Sequence, residues 1–164
     1  MTMTEQTLKA KFEIKELELN ALLEITQAIN NNLSEESLYK IYNFTLRSNL
    51  NIQKLALFVL DEDWSCKVSF GTSKHFHKTN LLPAFRTIQD ITHLKEFDAC
   101  DFTVFDIIIP VTHKSTTLAL VFVGGLEKDD PRYQNEDGIK FIQALSNIII
   151  VAIESGVIGV ALVV

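Results

Sequence analysis

The two cysteines carry the most obvious potential for chemistry in this sequence. Cys66 lies in the stretch SCKVSFG and Cys100 in the stretch ACD. A thiol attacks as its thiolate, and nearby positive charge is what lowers its pKa. Cys100 instead lies between Asp98 and Asp101, whose negative charges oppose ionisation. Two cysteines are too few for a disulfide framework, so we expect both to be free thiols.

Two histidines, His75 and His77, flank Phe76. On an extended segment both imidazoles would point to the same side, which suits a metal ion. No third ligand follows at the spacing of a zinc site, so the sequence predicts no metal site. It also shows no recognisable catalytic set, and we predict that the chain is not an enzyme.

The chain contains 11 phenylalanines, several of them in its middle third. Phenylalanine is most often an ordinary core residue. Aromatic walls with few polar groups also suit a small apolar or aromatic ligand.

Helical patterns begin and end the chain. In residues 11–31 apolar side chains recur at spacings of three and four, which predicts one helix with a single apolar stripe. Ser34 is a good N-cap for a second helix. A third helix is predicted from Asn135 to about Glu154. The first ten residues are predicted to be a flexible segment.

The middle of the chain changes to strand patterns. Residues 54–70 predict a hairpin, in which the second strand alternates and places Cys66 and Phe70 on one face. Residues 101–111 and 116–126 predict two more strands, and Pro110 indicates an edge or a bulge there. Residues 81–91 are predicted to be weakly helical.

The order of these elements predicts an α+β fold. Strands in hairpins with helices at the chain ends indicate an antiparallel sheet rather than a doubly wound one. We predict a central sheet of five to six strands with the terminal helices packed on one face. The 164 residues fit one domain, with 47% hydrophobic residues to form its core. A net charge of −6 argues against a nucleic-acid partner.

At this point the sequence resembles a GAF domain over residues 11–154. The stretches that carry the resemblance are residues 19–63, the strand pair at 106–127 and the closing helix at 135–154. The resemblance implies a regulatory sensor module of GAF/PAS-like architecture. Its terminal helices would cover one face of the sheet, and an irregular middle segment would roof a ligand pocket on the other. The candidate residues of that pocket are Phe70, Phe76, Phe85, Phe97, Cys100, Phe102 and Phe105. The closing helix also looks like that of GAF modules preceding bacterial metal-dependent serine phosphatases of the sporulation and sigma-factor-regulating type.

Two ligand classes known in GAF domains fit these residues poorly. Bilin attachment uses a cysteine next to a histidine. In this chain Cys66 is followed by Lys67, and Cys100 is followed by Asp101. Cyclic-nucleotide domains carry Asn-Lys and then Phe-x-x-x-Asp-Glu. Phe97 and Asp101 have the last spacing, whereas Phe102 replaces the glutamate and no Asn-Lys precedes. The resemblance therefore leaves the ligand and any cofactor unknown.

One enzyme of the GAF type stays open as an alternative. The reductase of free methionine sulfoxide has a reactive cysteine in an Ala-Cys-Asp stretch, shortly before an Ile/Val-rich strand with a proline. Cys100 and the strand residues Asp106 to Pro110 match that pattern in part. The two further upstream cysteines of that enzyme are absent. The alternative is a thiol enzyme that uses Cys100.

The resemblance also implies a homodimer that pairs and signals through its terminal helices. The apolar faces of both helices are wider than one sheet contact requires. The candidate interface residues are Leu22, Ile25, Ile29, Ile149, Ala152 and Ile153. Plain packing of these residues against the sheet is the alternative, and a purely structural dimerisation module is a third interpretation of the chain.

We therefore expect a non-catalytic sensory domain of a cytoplasmic bacterial signalling protein. A small ligand or a partner would act on it, and a phosphatase or kinase output domain would lie outside this chain. The N-terminus has no apolar signal segment. The run from Ile148 is too short for a membrane span and contains Glu154, so we expect a helix end and then an apolar tail at 155–164, with a truncated end as one interpretation.

Overall fold

The structure is a computed structural model that describes residues 2–72, 76, 80–81, 83–94, 100–126 and 137–154, with the side chains of Met3, Cys100 and Asp101 excepted. Its helices are α1 (Met3–Asn30), α2 (Glu35–Phe44) and α3 (Asp137–Glu154). Its strands are β1 (Lys54–Asp61), β2 (Asp63–Phe70), β3 (Thr92–His93), β4 (Ile107–His113) and β5 (Thr116–Gly124). His75, His77, Phe97, Asn135 and the tail 155–164 lie outside the described residues.

The strands form one sheet in the order β2-β1-β5-β4-β3, and every pairing is antiparallel. β5 lies at the centre because it pairs with both β1 and β4. The predicted α+β fold with an antiparallel sheet of five to six strands is confirmed.

α1 begins at Met3, within the segment that the sequence analysis expected to be flexible. A capping box fixes this start: the Glu5 N–H donates to the Thr2 hydroxyl at 3.1 Å, and the Thr2 N–H donates to the Glu5 carboxylate at 3.1 Å. Such reciprocal bonds satisfy donors that a helix N-terminus leaves open. The boundary predicted at residue 11 was therefore wrong.

α2 starts as predicted, with Ser34 accepting a hydrogen bond from the Ser37 N–H at 3.2 Å. It continues into one π-helical turn, Thr45–Asn49. Glu24 of α1 holds this turn, since its carboxylate accepts from Asn49 at 2.9 Å and from Thr45 at 3.3 Å. Polar bonds thus join α1 to the turn that follows the C-terminal end of α2.

The helices cover one face of the sheet and form what we call the helix-side core. Leu57, Val121 and Ile109 from the three central strands pack there with side chains of α1, α2 and α3. One polar pair crosses this core, because the Tyr42 and Ser146 hydroxyls lie 2.6 Å apart. Ser146 also donates to the Ile142 carbonyl at 2.7 Å. The predicted packing of the terminal helices on one face is confirmed.

A β-bulge in β2 overturns one prediction from strand alternation. Val68 pairs with Leu57, but the next pair along the strands joins Cys66 to Phe58. Lys67 is therefore an extra residue on β2, and a bulge of this kind shifts the alternation of side chains. Cys66 faces away from the helices while Phe70 lies in the helix-side core, so the prediction of a shared face was wrong.

Pro110 lies where the sequence analysis expected an edge or a bulge. In the described part of the sheet β3 reaches β4 only at Ile107 and Ile108, so Pro110 pairs with β5 alone. A register irregularity follows between Val111 and Thr112. The free Pro110 carbonyl accepts a hydrogen bond from the Gln143 side chain of α3 at 2.9 Å. Of the two predicted alternatives, Pro110 itself lies on a locally unpaired border of β4, and the irregularity lies one residue further along.

The strand predicted over residues 101–111 begins later in the structure. Cys100–Val104 form a 3₁₀ helix, and β4 starts at Ile107. The Phe105 N–H donates a hydrogen bond to the Phe102 carbonyl at 3.0 Å, which closes the last turn of this helix. Within the region predicted as weakly helical, Pro83–Phe85 form a single 3₁₀ turn.

Two buried tyrosines of α2 make a matched test of this packing. The Tyr39 hydroxyl is buried and has no hydrogen-bond partner within the described residues, whereas the Tyr42 hydroxyl bonds to Ser146. Because a buried unsatisfied group costs free energy, Tyr39→Phe should raise the free energy of unfolding by up to about 1 kcal/mol. Tyr42→Phe should lower it by about 1 kcal/mol. Urea unfolding measures both, and equal effects would contradict this interpretation.

Candidate functional site

The face of the sheet opposite the helices is covered by phenylalanine side chains that we call the aromatic cluster. Two of them come from the sheet itself, Phe58 on β1 and Phe122 on β5. The others come from the segments that connect the strands and form a roof over this face. The complete cluster is Phe58, Phe76, Phe85, Phe102, Phe105 and Phe122, all buried.

Phe102 lies at the centre of this cluster. Its ring centroid is 4.8 Å from that of Phe122 and 5.7 Å from that of Phe58, the two rings on the sheet. On the roof side it is 5.3 Å from Phe85 and 5.4 Å from Phe76. The interplanar angles range from 35° to 78°, within the tilted and edge-to-face arrangements that aromatic pairs favour.

A glycine lets the roof approach the sheet at this point. A Cβ atom on Gly124 would lie 2.6 Å from the Val104 carbonyl oxygen and 3.0 Å from the Phe105 Cα. No other residue fits such a contact without movement of the backbone. Asp106 then ties the segment down, because its N–H donates to the Val123 carbonyl at 2.8 Å and its carboxylate accepts from the Leu126 N–H at 3.0 Å.

The structure brings together four of the seven residues predicted for the pocket: Phe76, Phe85, Phe102 and Phe105. The prediction that Phe70 lines this pocket was wrong. Because of the bulge at Lys67 its side chain lies in the helix-side core, where Arg47 is 5.7 Å from its ring centroid. Phe97 lies outside the described residues. Of Cys100 only the backbone is described, in the 3₁₀ helix.

Sequence reasoning missed the two phenylalanines on the sheet. Phe58 and Phe122 are each flanked by residues of the helix-side core, and that alternation was the available signal. The continuous apolar runs of β1 and β5 hid the alternation, because both faces of these strands are buried.

Among the residues that the structure describes, the lining of this layer is almost wholly apolar. Besides the aromatic cluster it contains Leu94, Ile108 and Leu120, together with Cys66. Within the described residues the buried polar side chains are Glu18, Thr45, Thr117 and Ser146, and of these Thr117 bonds to the Ile88 carbonyl next to this layer, at 2.8 Å. An arrangement of this kind binds by shape and apolar contact rather than by charge.

Cys66 lies in this layer but is a poor nucleophile. Its Sγ donates a hydrogen bond to the Val68 carbonyl at 3.3 Å. Burial raises the pKa of the Cys66 thiol to about 12, because the thiolate would lose its hydration. The alternative of a thiol enzyme concerns Cys100, and it stays a prediction since that side chain lies outside the described atoms.

Metal ligands do not gather in the part of the chain that the structure describes. There, no group of three or more His, Cys, Asp or Glu side chains is placed to hold an ion. His75 and His77, the pair considered from the sequence, fall outside it. The absence of a metal site therefore stays a prediction.

The predicted dimer residues belong mostly to the interior of one chain. Ile25, Ile29, Ile149 and Ala152 are buried in the helix-side core, and Leu22 and Ile153 pack partly against it. The sequence stripe was real, but it faces the sheet. These side chains follow the alternative prediction of plain packing against the sheet. The prediction that the buried ones form a dimer interface was wrong, because they are covered within one chain.

A second apolar stripe on α1 faces outward instead. We call Leu8, Phe12, Leu19 and Leu23 the outer stripe. Their exposed fractions are 62%, 65%, 55% and 49%. Spacings of four, seven and four residues place them on one side of the helix. This stripe was not predicted: Leu8 lies in the residues expected to be flexible, and the face of the predicted helix that carries Phe12, Leu19 and Leu23 was expected to be polar.

The N-terminal half of α1 has little contact with the rest of the described chain. From residue 4 to residue 17 only Ala10 and Ile14 are partly buried, and Glu18 is the first fully buried residue of the helix. Helical segments of this length are marginal in water unless an apolar face packs against something. The outer stripe supplies such a face.

Comparison with solved structures agrees with this architecture. A GAF domain from Pseudomonas syringae pv. tomato matches with a TM-score of 0.62 and 12% identity, covering 94% of each chain. The nlh2 GAF domain of A. aeolicus in an inactive state matches with a TM-score of 0.62 and 15% identity, covering 87% of this chain and 99% of that one. A methyl-accepting chemotaxis protein, residues 122 to 287, matches with a TM-score of 0.56 and 16% identity over 83% and 99%.

These likenesses show that the chain has the fold of GAF domains. They are structural, because no family model matches the sequence and no match was found among curated proteins. Among the helices described, none is long and apolar enough to cross a membrane.

The buried thiol gives a direct test of the described site. Cys66 in the folded chain should react with iodoacetamide at pH 8 at least about a hundredfold more slowly than in urea, because burial and the raised pKa suppress its thiolate. Peptide mass spectrometry separates its alkylation from that of Cys100. Similar rates for Cys66 in the folded and unfolded chain would contradict its placement.

Glu18 gives a pH-dependent test where α1 meets the core. Its carboxyl is 8% exposed and lies 3.6 Å from Lys15, yet its pKa is raised above 4.5, since loss of hydration outweighs that pairing and Asp137 adds like charge. Ionisation therefore costs more in the folded state, and stability falls as pH rises through the raised pKa. Glu18→Gln should be more stable than wild type at pH 7 and equal to it below pH 4.5.

The control for this test is Glu16→Gln, which changes an exposed glutamate of the same helix. Urea unfolding across the pH range should show little difference between this variant and wild type. A stability gain for Glu18→Gln that persists unchanged at low pH would indicate an effect other than ionisation.

Proposed function

We propose that this chain is a non-catalytic regulatory domain of a bacterial signalling protein, which dimerises and transmits through its terminal helices. The observation that carries the proposal is the outer stripe, an exposed apolar face on a helix that extends away from the core. Exposed apolar surface of this kind marks sites of association. The GAF fold supports a sensory role, and one similar structure belongs to a methyl-accepting chemotaxis protein.

The partner that best fits the outer stripe is a second copy of the same chain. Leu8 and Leu19 are eleven residues apart, as are Phe12 and Leu23, and an 11-residue repeat keeps apolar residues on one side of a helix over many turns. Lys11 and Glu16 lie on opposite sides of the stripe. A parallel pair of α1 helices would bring Lys11 of one copy near Glu16 of the other, as in coiled coils.

The terminal helices would transmit a signal because they reach both the helix-side core and the proposed dimer contact. α1 and α3 both pack in the helix-side core, and α1 continues outward to the proposed dimer contact. A ligand or partner that prefers one packing of these helices would shift the population toward it. The output would be a phosphatase or kinase domain outside this chain, in a cytoplasmic protein, and the phosphatase-associated type of GAF module is our preferred context.

The dimer contact is tested by charge placed on the outer stripe. Wild-type chain should be a dimer at tens of micromolar by light scattering. The double substitution Phe12→Glu and Leu19→Glu should raise the dissociation constant at least tenfold, which is about 1.4 kcal/mol. It removes exposed side chains, so circular dichroism should show the folded core retained.

The matched control is Leu17→Glu, which alters a side chain of similar exposure on another side of α1. This variant should dimerise like wild type. A wild-type monomer at tens of micromolar, or equal loss of the dimer in the control, would contradict the proposed interface. A dimer that responds to no ligand and no output domain would indicate the purely structural module.

A further inference from the structure

The centre of the aromatic cluster is occupied by a ring that comes from the roof. Phe102 has two sheet rings on one side, Phe58 and Phe122, and two roof rings on the other, Phe76 and Phe85, with all four centroids within 5.7 Å. Its own side chain is 1% exposed. In this position a side chain is surrounded as a bound aromatic molecule would be.

Phe102 is carried by a short turn and not by a strand of the sheet. This turn is the five-residue 3₁₀ helix Cys100–Val104, whereas Phe58 and Phe122 belong to long strands. Hydrogen bonds in 3₁₀ helices have poorer geometry than those in α-helices, and such turns often mark hinges. Val104 at its end is 40% exposed, and the firm ties to the sheet begin only at Asp106. Displacement of the ring would therefore change the conformation of this turn and not the hydrogen bonds of a strand.

We propose that Phe102 is an internal plug in the ligand position of this domain. The ligand class is a single-ring, uncharged aromatic molecule that displaces the Phe102 side chain from among the four surrounding rings. This inference rests on the proposed sensory function and names the chemistry of its ligand.

The surrounding walls explain why the ligand would be aromatic and uncharged. Tilted and edge-to-face contacts with four rings favour another ring in the same place. The remaining wall consists of residues such as Ile108, Leu120 and Leu94, which offer no partner to a charged group. A buried charge without a partner is strongly unfavourable, so an ionised ligand would be excluded.

The plug also predicts how tightly the ligand binds. Phe102 competes with the ligand for the same space. The apparent affinity of wild type for the ligand therefore equals the intrinsic affinity multiplied by the fraction of chains in which the Phe102 ring has moved out. Removal of the Phe102 ring eliminates that competition. A ligand should therefore bind the variant without the ring more tightly than it binds wild type.

The test uses toluene as the probe, with the full chain carrying ¹³C-labelled isoleucine methyl groups. Ile108 faces the aromatic cluster and its neighbour Ile109 faces the helix-side core, so the two methyl groups report on opposite faces of the sheet. In wild type, toluene should shift the Ile108 signal and leave Ile109 in place. Phe102→Ala should bind toluene at least about tenfold more tightly than wild type and gain thermal stability from it.

Phe85→Ala is the matched control, because it removes a ring of the same size from the wall rather than from the centre. It should show no such gain in affinity over wild type. Benzoate, a charged compound with the same ring, should produce no Ile108 shift in any variant. Phe102→Leu keeps an apolar side chain, is expected to fold more readily than Phe102→Ala, and should bind toluene with intermediate affinity.

Four results would overturn the proposal. They are no Ile108 response of wild type in toluene-saturated buffer, equal toluene affinity of Phe102→Ala and Phe85→Ala, binding of benzoate as tight as that of toluene, and failure of both Phe102 variants to fold even with toluene. Each leaves the proposed dimer intact, because light scattering on the outer-stripe variants tests that contact separately.

Discussion

The central strands of this domain are apolar on both faces, and the rest of the structure follows from the need to cover both. β5 is buried at every position after its first, and β1 is buried over five consecutive residues. An antiparallel sheet can leave one face in water, but these two strands cannot do so without exposing a row of large apolar side chains. One layer of helices and one layer of roof segments are therefore both required.

The two layers meet this requirement in different ways. On the helix side, regular amphipathic stripes and a single buried hydroxyl pair, Tyr42 and Ser146, define how the helices lie. On the other side, irregular segments contribute phenylalanines whose rings fill the space between roof and sheet. In the function proposed above, the roof with its short turns is the side on which a ligand would act, and the helices are the side that would report it.

The sequence allowed the fold to be predicted because the relevant signals are local. Helix caps such as Ser34, hairpin turns and alternation each depend on neighbouring residues, and they indicated the order of elements and the antiparallel sheet. The roof phenylalanines Phe76, Phe85, Phe102 and Phe105 were also found, since their positions follow from the same order.

The wrong predictions concern places where one extra residue reverses the direction of side chains, or where an apolar surface has two possible partners. Lys67 is an extra residue in β2, so Phe70 lies on the opposite face of the sheet from Cys66. No local sequence pattern predicts such a bulge. The apolar stripes that contain Ile25 on α1 and Ile149 on α3 are each compatible with packing against either a sheet or a second chain, and periodicity alone does not distinguish the two. The outer stripe was overlooked for a different reason: Leu8 precedes the predicted start of the helix, and charged residues interspersed with Phe12 and Leu19 made that face look polar.

The bulge at Lys67 and the proline at position 110 have a common consequence for how copies of the chain can meet. β2 is an outer strand of the sheet, and Pro110 lies in β4 beyond its contact with β3. A bulge disrupts the ladder of an outer strand, and a proline has no N–H to offer to an incoming one. Gln143 also occupies the Pro110 carbonyl. Both borders of the described sheet thus discourage the endless strand-to-strand addition that leads to fibrils, which suits the closed helix-to-helix contact proposed above.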